Sequence, residues 1–248
     1  MKGDKVSLFG FACNSSSLLE AADHAEAAIN EGGSERILFL NAAKVASPNS
    51  EYVPILNSVE RLYADGQSIV IASRCIGPRL PERVAGVDLM YELLKRANVH
   101  GWSVFFLGST DDVLRDVQST MEQSFPNARV VGVMNGYFDA GLDPVVAESI
   151  RVTHPDLLFV AMPSPRKEQW VAEMSKATGA HVSMGIGGSL EVLTGRVARA
   201  PVIVQRMGME WGWRVYQEPR RLWRRYATSN FRFLVMTIRE TIRARNAS

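Results

Sequence analysis

One acidic residue, Asp65, has a local setting in which a carboxylate could act as a general base. It lies in Tyr63-Ala64-Asp65-Gly66, after an amphipathic segment and before an apolar run at 69–72. A carboxylate at the end of a strand or helix can accept the proton of an attacking hydroxyl group. Asp-Gly is also a common turn pair, and local sequence alone favours a turn or helix cap. Both interpretations stay open at this point.

Glycine together with small hydroxyl or amide residues follows several apolar runs. Glycine lets backbone N–H groups come close to a phosphate, so this composition indicates a nucleotide or another phosphorylated ligand. Strand-to-helix turns need glycine and serine in any case, which leaves the plain turn as the alternative. The segments are Leu107-Gly108-Ser109-Thr110, Met134-Asn135-Gly136-Tyr137-Phe138 and Gly185-Ile186-Gly187-Gly188-Ser189.

Other cofactor motifs are missing from the sequence. A dinucleotide-binding fingerprint would need glycine at Leu190, and no Gly-Lys-Ser/Thr phosphate loop occurs. There is no Asp-x-Asp motif, and the four histidines are scattered along the chain. We therefore expect no metal site and no cofactor.

The candidate residues need a scaffold that brings several strand ends together. Short apolar runs alternate with segments of helical spacing, which indicates a parallel sheet covered on both faces by crossover helices. We predict an α/β fold, doubly wound and mostly parallel, with ligands bound beyond the carboxyl ends of the strands. The predicted strands are 6–12, 36–40, 103–107, 129–133, 157–161 and 181–186, and the predicted helices are 18–29, 53–62, 87–97, 113–121 and 170–177.

Composition narrows the class of protein. The chain has 248 residues, 46% of them hydrophobic, which is enough for one globular domain with a core and at most an appendage. Two cysteines, Cys13 and Cys75, suit a reducing compartment. Neither a signal peptide nor a membrane-spanning apolar run is recognisable, so we expect a cytoplasmic protein.

The net charge of +2 conceals a strong asymmetry. Residues 196–248 contain twelve arginines, no lysine and three acids, a net charge of +9, which leaves −7 for the rest. We therefore divide the chain into an α/β domain, 1–195, which we call the body, and a basic helical C-terminal appendage, 196–248. Such a separation of charge is typical of a protein whose partner is anionic.

Eight short motifs occur in a fixed order between about Asn41 and Tyr226. They are Tyr63-Ala64-Asp65-Gly66, Arg83-Val84-Ala85-Gly86-Val87-Asp88-Leu89, Phe106-Leu107-Gly108-Ser109, Gly136-Tyr137-Phe138, Ser164-Pro165-Arg166-Lys167-Glu168, Gly185-Ile186-Gly187-Gly188-Ser189, Arg199-Ala200-Pro201 and Glu210-Trp211-Gly212-Trp213-Arg214. Their order and spacing resemble the WecG/TagA/CpsF glycosyltransferase family (glycosyltransferase family 26).

The resemblance implies an inverting, metal-independent transfer of a sugar from a UDP-sugar to a polyprenyl-diphosphate-linked sugar. It places the protein in cell-surface polysaccharide synthesis of the exopolysaccharide, capsule or teichoic-acid type. The implied location is peripheral, on the cytoplasmic face of the cell membrane, and the UDP-sugar is a substrate, so no cofactor is implied.

The resemblance also implies roles for individual residues. Asp65 corresponds to the proposed catalytic base of the family. For Arg83 the alternative to donor binding is a surface ion pair with Glu82 or Asp88. The predicted donor-binding residues are Asn41, Arg83, Gly108, Ser109, Ser164, Lys167, Glu168, Gly185, Gly187 and Gly188, and those associated with the lipid diphosphate are Arg214, Arg221 and Arg224.

The chain departs from the family pattern beside the predicted donor site. Phe39 stands where the family often has threonine, and Pro163 and Lys167 stand where it often has glycine and glutamine. Changing a hydrogen-bonding group of a pocket changes which sugar substituent it satisfies. An N-acetylmannosamine-type sugar, glucose and an acidic sugar all remain open as donors. The departures also leave open a catalytically inactive peripheral membrane or partner-binding protein with a vestigial nucleotide pocket.

The appendage has the composition of an interfacial helix. Pro219 is a suitable first residue for a helix. In a helix over 219–227 the arginines lie on one side and the apolar residues on another. Arginine and tryptophan beside a short apolar face predict contact with an anionic membrane. The alternative is a helix packed on the body with solvated arginines. A nucleic-acid partner is not expected because the body has no basic stripe, and self-association through the apolar surface stays open.

Overall fold

Strands and helices alternate along the described part of the chain, which in this computed structural model comprises residues 4–47, 52–201, 204, 210–217 and 219–246. For 211, 214, 217 and 219–226 only the helical backbone is described. The strands are β1 (Lys5–Leu8), β2 (Phe11–Asn14), β3 (Glu35–Leu40), β4 (Arg61–Ala64), β5 (Ser103–Gly108), β6 (Arg129–Met134), β7 (Leu157–Ala161) and β8 (Val182–Gly185). The helices are α1 (Leu18–Asn30), α2 (Ala42–Val45), α3 (Tyr52–Asn57), α4 (Gln67–Ile76), α5 (Gly86–His100), α6 (Asp111–Ser124), α7 (Asp143–Arg151), α8 (Arg166–Glu173), α9 (Ser189–Leu193), α10 (Glu210–Gln217) and α11 (Pro219–Asn246), with short 3-10 helices at Ala140–Leu142 and Ser175–Thr178.

The central sheet of the described residues has six strands in the order β4-β3-β8-β7-β5-β6. Every neighbouring pair in it is parallel. The carboxyl ends of the strands therefore lie along one edge. The predicted α/β fold with a doubly wound sheet is confirmed.

Helices cover both faces of this sheet. Successive side chains of a strand point to opposite faces, and in β3 Phe39 belongs to one core while Leu38 and Leu40 belong to the other. The first core includes residues of α1, α5, α6 and α9, and the second includes residues of α2, α3, α4, α7, α8 and α11. Burial on both faces explains why the sheet strands are nearly continuous apolar runs.

The first apolar run folds as a hairpin and not as the single strand predicted over 6–12. Strands β1 and β2 pair antiparallel from Lys5↔Asn14 to Leu8↔Phe11. Phe9 and Gly10 between them both have positive φ, 55° and 83°. Two successive positive φ values form the tight turn that matches the twist of a hairpin. The prediction was wrong because it placed no turn inside the run.

A second correction concerns the segment before Asp65, which was predicted to be one helix over 53–62. Helix α3 ends at Asn57, and β4 follows at Arg61–Ala64, paired with β3 from Ile37↔Arg61 to Leu40↔Ala64. A strand of only four residues, Arg61-Leu62-Tyr63-Ala64, is too short to show a period that separates it from a helix. The consequence is that Asp65 directly follows a strand.

The described part of the appendage packs on the body. Helix α11 begins at Pro219, as predicted, and Phe233 on it is buried with its ring centroid 5.4 Å from that of Phe9. Burial of one phenylalanine side chain contributes about 1.5–3 kcal/mol. None of the described helices combines the length and the apolar composition needed to cross a membrane. The boundary at 195/196 stays a prediction.

Candidate active site

Most predicted site residues of the α/β domain lie along the carboxyl edge, by which we mean residues 41, 65, 108–109, 136, 162–164 and 185–188; Lys167 and Glu168 lie on α8, and Arg83 lies before α5. Each of the carboxyl-edge residues ends or follows a strand of the sheet. In the order of the strands across the sheet, Asp65 follows β4 and Asn41 follows β3. The loop 185–188 follows at β8, Ser164 after β7 and Gly108 at β5. Sheet order therefore brings together residues that are far apart in sequence.

Asp65 is held at the end of β4 by its backbone. Its N–H donates to the carbonyl oxygen of Leu40 at 2.7 Å, which continues the pairing of β3 with β4 by one residue. The N-cap position of α4 belongs to Gly66, whose φ of 145° is unfavourable for a residue with a side chain. Asp65 directly follows β4 and is half-buried, which is the setting expected for a general base at the end of a strand.

Beside it, two lysines share one buried glutamate. Lys44 Nζ lies 2.8 Å from Glu168 Oε1, and Lys167 Nζ contacts the same oxygen. Ser164 Oγ also donates to this oxygen, at 2.9 Å, and Lys167 Nζ lies 3.3 Å from that hydroxyl. Lys44, Lys167 and Glu168 are all buried. We call Lys44, Ser164, Lys167 and Glu168 the buried network.

Charge interactions within the buried network shift its pKa values strongly. Burial alone would raise the pKa of Glu168, but Lys44 and Lys167 outweigh it and lower the pKa to about 2. Burial, and then Lys44, lowers the pKa of Lys167 to about 8, against the opposing effects of Glu168 and Asp65. Asp65 therefore lies close enough to act on the Lys167 ammonium.

Glycine in the β8 loop makes room for the Lys167 stem. A Cβ at Gly185 would lie 3.0 Å from Lys167 Cγ and Cδ and 2.8 Å from a methyl of Leu38. At Gly187, where φ is 55°, a Cβ would lie 3.6 Å from Lys167 Cε. The first two glycines of this loop are thus needed for packing and backbone conformation, independently of any phosphate.

On the β5 side of the site the backbone is packed very closely. Gly108 has a φ of 124°, and a Cβ there would lie 2.8 Å from the Cα of Ala161 on β7. A Cβ at Gly136 would lie 2.7 Å from the Cα of Gly108. Ser109 also has a positive φ, 60°, and its N–H donates to the carbonyl oxygen of Ala161 at 3.0 Å. Any added side chain would separate these backbones.

Glu191 is a site residue that sequence analysis missed. Its Oε1 accepts a hydrogen bond from Ser109 Oγ at 3.2 Å, and its Oε2 is buried without a hydrogen-bond partner. A Cβ at Gly188 would lie 3.6 Å from Oε2. An unpartnered buried carboxylate oxygen favours a ligand that donates hydrogen bonds. The sequence feature that could have identified it is an acidic residue, three positions after Gly188, within an otherwise apolar stretch.

Asn41 caps α2, and in doing so it positions the missed residue Lys44. The side-chain oxygen of Asn41 accepts from the Lys44 backbone N–H at 3.1 Å. The Lys44 ammonium turns back to contact the carbonyl oxygen of Phe39 on β3. A lysine inside Ala42-Ala43-Lys44-Val45-Ala46 was the signal available in the sequence.

Arg83 links the body to the appendage. It forms an ion pair with Asp88 at 3.4 Å, one of the two alternatives considered above, and another with Glu210 on α10. Glu82, the other alternative, instead accepts the N–H of Leu18 at 2.6 Å. Arg199 pairs with Asp88 at 2.5 Å, so two arginines and two acids join the two parts of the chain. The Arg83 side chain is only 13% exposed.

The three predicted lipid-diphosphate arginines belong to helices of the appendage. Arg214 falls in α10, and Arg221 and Arg224 fall in α11. Their side chains lie outside the described residues, so their predicted role stays a prediction. Within the described ranges, no three His, Cys, Asp or Glu residues are grouped so that they could hold a metal ion.

Comparison with known proteins places the chain among glycosyltransferases. A Staphylococcus aureus (strain MW2) protein named N-acetylglucosaminyldiphosphoundecaprenol N-acetyl-beta-D-mannosaminyltransferase is 28% identical over 243 residues, 96% of this chain and 95% of its own. Proteins of the same name from S. aureus strains NCTC 8325 and MRSA252 show the same identity and coverage. The profile of the glycosyl transferase WecG/TagA/CpsF family matches residues 6–247, so the chain belongs to this family.

Proposed function

We propose that the protein transfers a sugar from a UDP-sugar to a polyprenyl-diphosphate-linked sugar, with inversion at the anomeric carbon and without a metal ion. The observation that carries the proposal is the position of Asp65, a half-buried acid that directly follows β4 on the carboxyl edge. The similar S. aureus proteins support the acceptor class, because their name describes transfer to a sugar on diphosphoundecaprenol. Cell-envelope polysaccharide synthesis at the inner membrane face is the process that this chemistry would serve.

Inversion needs a single displacement at the anomeric carbon. In it the acceptor hydroxyl loses its proton to the Asp65 carboxylate, and its oxygen forms the new glycosidic bond. The bond between the anomeric carbon and the UDP oxygen breaks, and the electron pair leaves with UDP. One carboxylate is sufficient for this step, since no covalent sugar intermediate forms.

The donor would lie along the remaining carboxyl edge. At the β5 turn the Ser109 N–H is already donated to Ala161, so we assign diphosphate binding to the loop around this turn and not to that group. The unpartnered Glu191 Oε2 suits the hydroxyl groups of a ribose or a sugar. Arg83 forms ion pairs with Asp88 and Glu210. We therefore propose that its main role is to join the body and the appendage, and not to bind the donor.

The donor sugar is best supported as an uncharged one. An acidic sugar was considered because Lys167 adds a cation beside the donor. The Lys167 ammonium is buried and directed at Glu168, which leaves it poorly placed to bind a substrate carboxylate. An N-acetylmannosamine-type sugar, which the S. aureus proteins transfer by name, and glucose remain the candidates.

The central test is transfer by the purified protein. We expect UDP release from UDP-N-acetylmannosamine or UDP-glucose that depends on an N-acetylglucosamine-diphosphate lipid acceptor and persists in EDTA. Asp65→Asn should lower the rate by about 10²–10⁴, or about 3–5 kcal/mol in barrier. Asp23→Asn, at an exposed aspartate paired with Arg96, is the matched control and should keep the parental rate. Parental transfer by Asp65→Asn would eliminate the base assignment, and a protein that binds UDP but never releases it from a donor would be a pure binder.

Peripheral attachment to an anionic membrane is the second part of the proposal. The described part of α11 exposes Phe231, Leu234, Ile238 and Ile242, which at 100° per residue fall within an arc of about 80° opposite the buried Phe233. Such a stripe on a basic helix suits a lipid interface. Leu234→Ser with Ile238→Ser should weaken sedimentation with anionic vesicles severalfold, whereas Val99→Ser, at an exposed valine of α5, should not. Equal sedimentation of parent and double variant would remove this stripe from membrane contact.

A further inference from the structure

An open cavity lies outside the carboxyl edge, between α4, the loop that follows it and the segment after β2. It has a volume of about 550 Å³ and is lined by Ser15, Arg74, Arg79, Leu80 and Pro81. Pockets that bind small ligands typically measure about 300–1,000 Å³. None of these five residues is among the predicted site residues, so the cavity is separate from the candidate active site. We call it the arginine pocket.

The backbone of the arginine pocket is fixed by the core. Leu80 is buried, and its N–H donates to the hydroxyl oxygen of Ser73 at 3.1 Å. Ser73 lies on α4 directly before Arg74 and is itself fully buried. This hydrogen bond ties the loop to the helix, so the backbone positions of Arg74 and Arg79 are fixed relative to each other.

The two arginines of the pocket differ from the other arginines of the body in having no partner. The body contains ten arginines. Seven of them form ion pairs with acids, and Arg129 donates to the carbonyl oxygen of Gly101. Arg74 and Arg79 are exposed, and within the described part of the chain they make neither an ion pair nor a hydrogen bond. Both guanidinium groups are therefore available to an anion.

The chemistry of the lining suits a phosphate group. A guanidinium group is planar and can donate two parallel hydrogen bonds to two oxygens of one phosphate. Ser15 adds a hydroxyl group that can donate a third. The five lining residues include no acid, and the carboxylate of nearby Glu82 already accepts the N–H of Leu18 at 2.6 Å. A cleft lined by charges of one sign attracts ions of the opposite sign.

The arginine pocket lies on the same side of the sheet as the apolar stripe of α11. Helix α4 packs against α11, and Leu80 belongs to the same core as Phe233. Helix α4 also exposes Ile71, which is 52% exposed and lies three residues before Arg74 on the same face of the helix. An exposed apolar side chain beside an arginine is typical of a surface that contacts lipid headgroups.

We infer that the arginine pocket binds a phosphate group, and that Arg74 and Arg79 hold it. An anionic phospholipid headgroup and a soluble phosphate share this chemistry, and the position beside α11 favours the lipid. A headgroup bound here gives the body its own contact with the membrane, separate from the arginines of the appendage. The inference rests on the proposed peripheral attachment for the source of the phosphate, but not for the binding itself.

The first arm of the test is sedimentation of the full-length protein with vesicles of phosphatidylcholine and phosphatidylglycerol. Arg74→Gln with Arg79→Gln should weaken binding about tenfold, because it removes two cations from an anionic surface. Lys95→Gln with Arg115→Gln is the matched control, since it removes two exposed cations from α5 and α6, which cover the opposite face of the sheet. The control should weaken binding by less than about twofold, because salt screens distant charges. If the pocket double variant does not fold, Arg79→Gln alone should weaken binding severalfold.

The second arm is calorimetric titration of the protein with inorganic phosphate in the absence of vesicles. Loss of sedimentation beyond that of the control assigns the pocket to a lipid headgroup. Saturable phosphate binding that the pocket double variant loses, with sedimentation unchanged, assigns it to a soluble phosphate. If the pocket double variant loses no more sedimentation than the control and no phosphate binding depends on the two arginines, the inference is wrong.

Failure of the pocket and failure of peripheral attachment give different results. If Leu234→Ser with Ile238→Ser loses sedimentation while the pocket double variant matches the parent in both arms, the pocket is wrong and the attachment stands. If the parent itself does not sediment with the vesicles, the attachment fails, and the phosphate titration alone decides the pocket.

Discussion

The two halves of the carboxyl edge are built from different chemical groups. The half at β4, β3 and β8 holds charged side chains: Asp65 follows β4, and Lys44 and Lys167 contact Glu168, with the Lys167 stem lying over the β8 loop. The half at β7, β5 and β6 holds closely packed backbone, with Gly108 fitted between Ala161 and Gly136. The first half suits proton transfer and the second suits phosphate binding. Substitutions in the two halves should therefore change different properties of the protein.

The largest effect is expected in the charged half, from Glu168→Gln. This change removes the only carboxylate of the buried network and leaves two ammonium groups close together, so it should lower the free energy of unfolding by about 3–5 kcal/mol. Urea denaturation followed by circular dichroism measures it. Glu173→Gln, at an exposed glutamate of the same helix, should change stability by no more than about 0.5 kcal/mol.

The pH dependence of stability tests whether the effect of Glu168→Gln comes from the loss of the Glu168 charge. Because the pKa of Glu168 is lowered from 4.5 to about 2 by folding, its contribution is complete above pH 4.5 and is lost as the pH falls towards 2. The loss should be on the order of 3 kcal/mol. The parent and Glu168→Gln should therefore converge in stability over this interval. A constant difference between them would contradict the ionic origin of the effect.

A smaller effect is expected in the backbone half, from Gly108→Ala. The new methyl group would meet the Ala161 backbone in a conformation with φ of 124°, so stability should fall by about 2–3 kcal/mol and the KM for the donor should rise. Thermal unfolding and donor titration of the initial rate measure both quantities. Gly141→Ala, where nothing lies within 4 Å and φ is not positive, should be neutral in both. A rise in KM of the same size for both variants would contradict the packing argument.

Much of the fold could be predicted because its strands are buried on both faces. Long apolar runs such as Leu157–Ala161 show this directly, and five sheet strands were placed from the sequence. Strand β4 was missed because four residues after a short helix, the first of them Arg61, have no distinctive period. The hairpin of β1 and β2 was missed because Phe9 carries an unusual positive φ that its residue type does not suggest.

The candidate site was predicted less completely than the fold. Strand ends gave the positions of Asp65 and of the glycine loops, since glycine and acidic residues stand out after apolar runs. Lys44 and Glu191 were missed, because each resembles an ordinary polar residue in a helical segment until its burial is known. Pairing of Arg83 with Glu210 connects residues 127 positions apart, which no local pattern reveals.

The sequence by itself determined the α/β class, the separation of charge between body and appendage, and, through motif order, the family. These properties depend on composition and on local periodicity, which the chain carries whether or not it is folded. Only the tertiary structure decided that Lys167 faces Glu168 and not the solvent, and that Asp65 lies at a strand end next to Leu40. The reason is that strand order and burial set which charges meet and how strongly they interact, and both depend on contacts between residues distant in sequence.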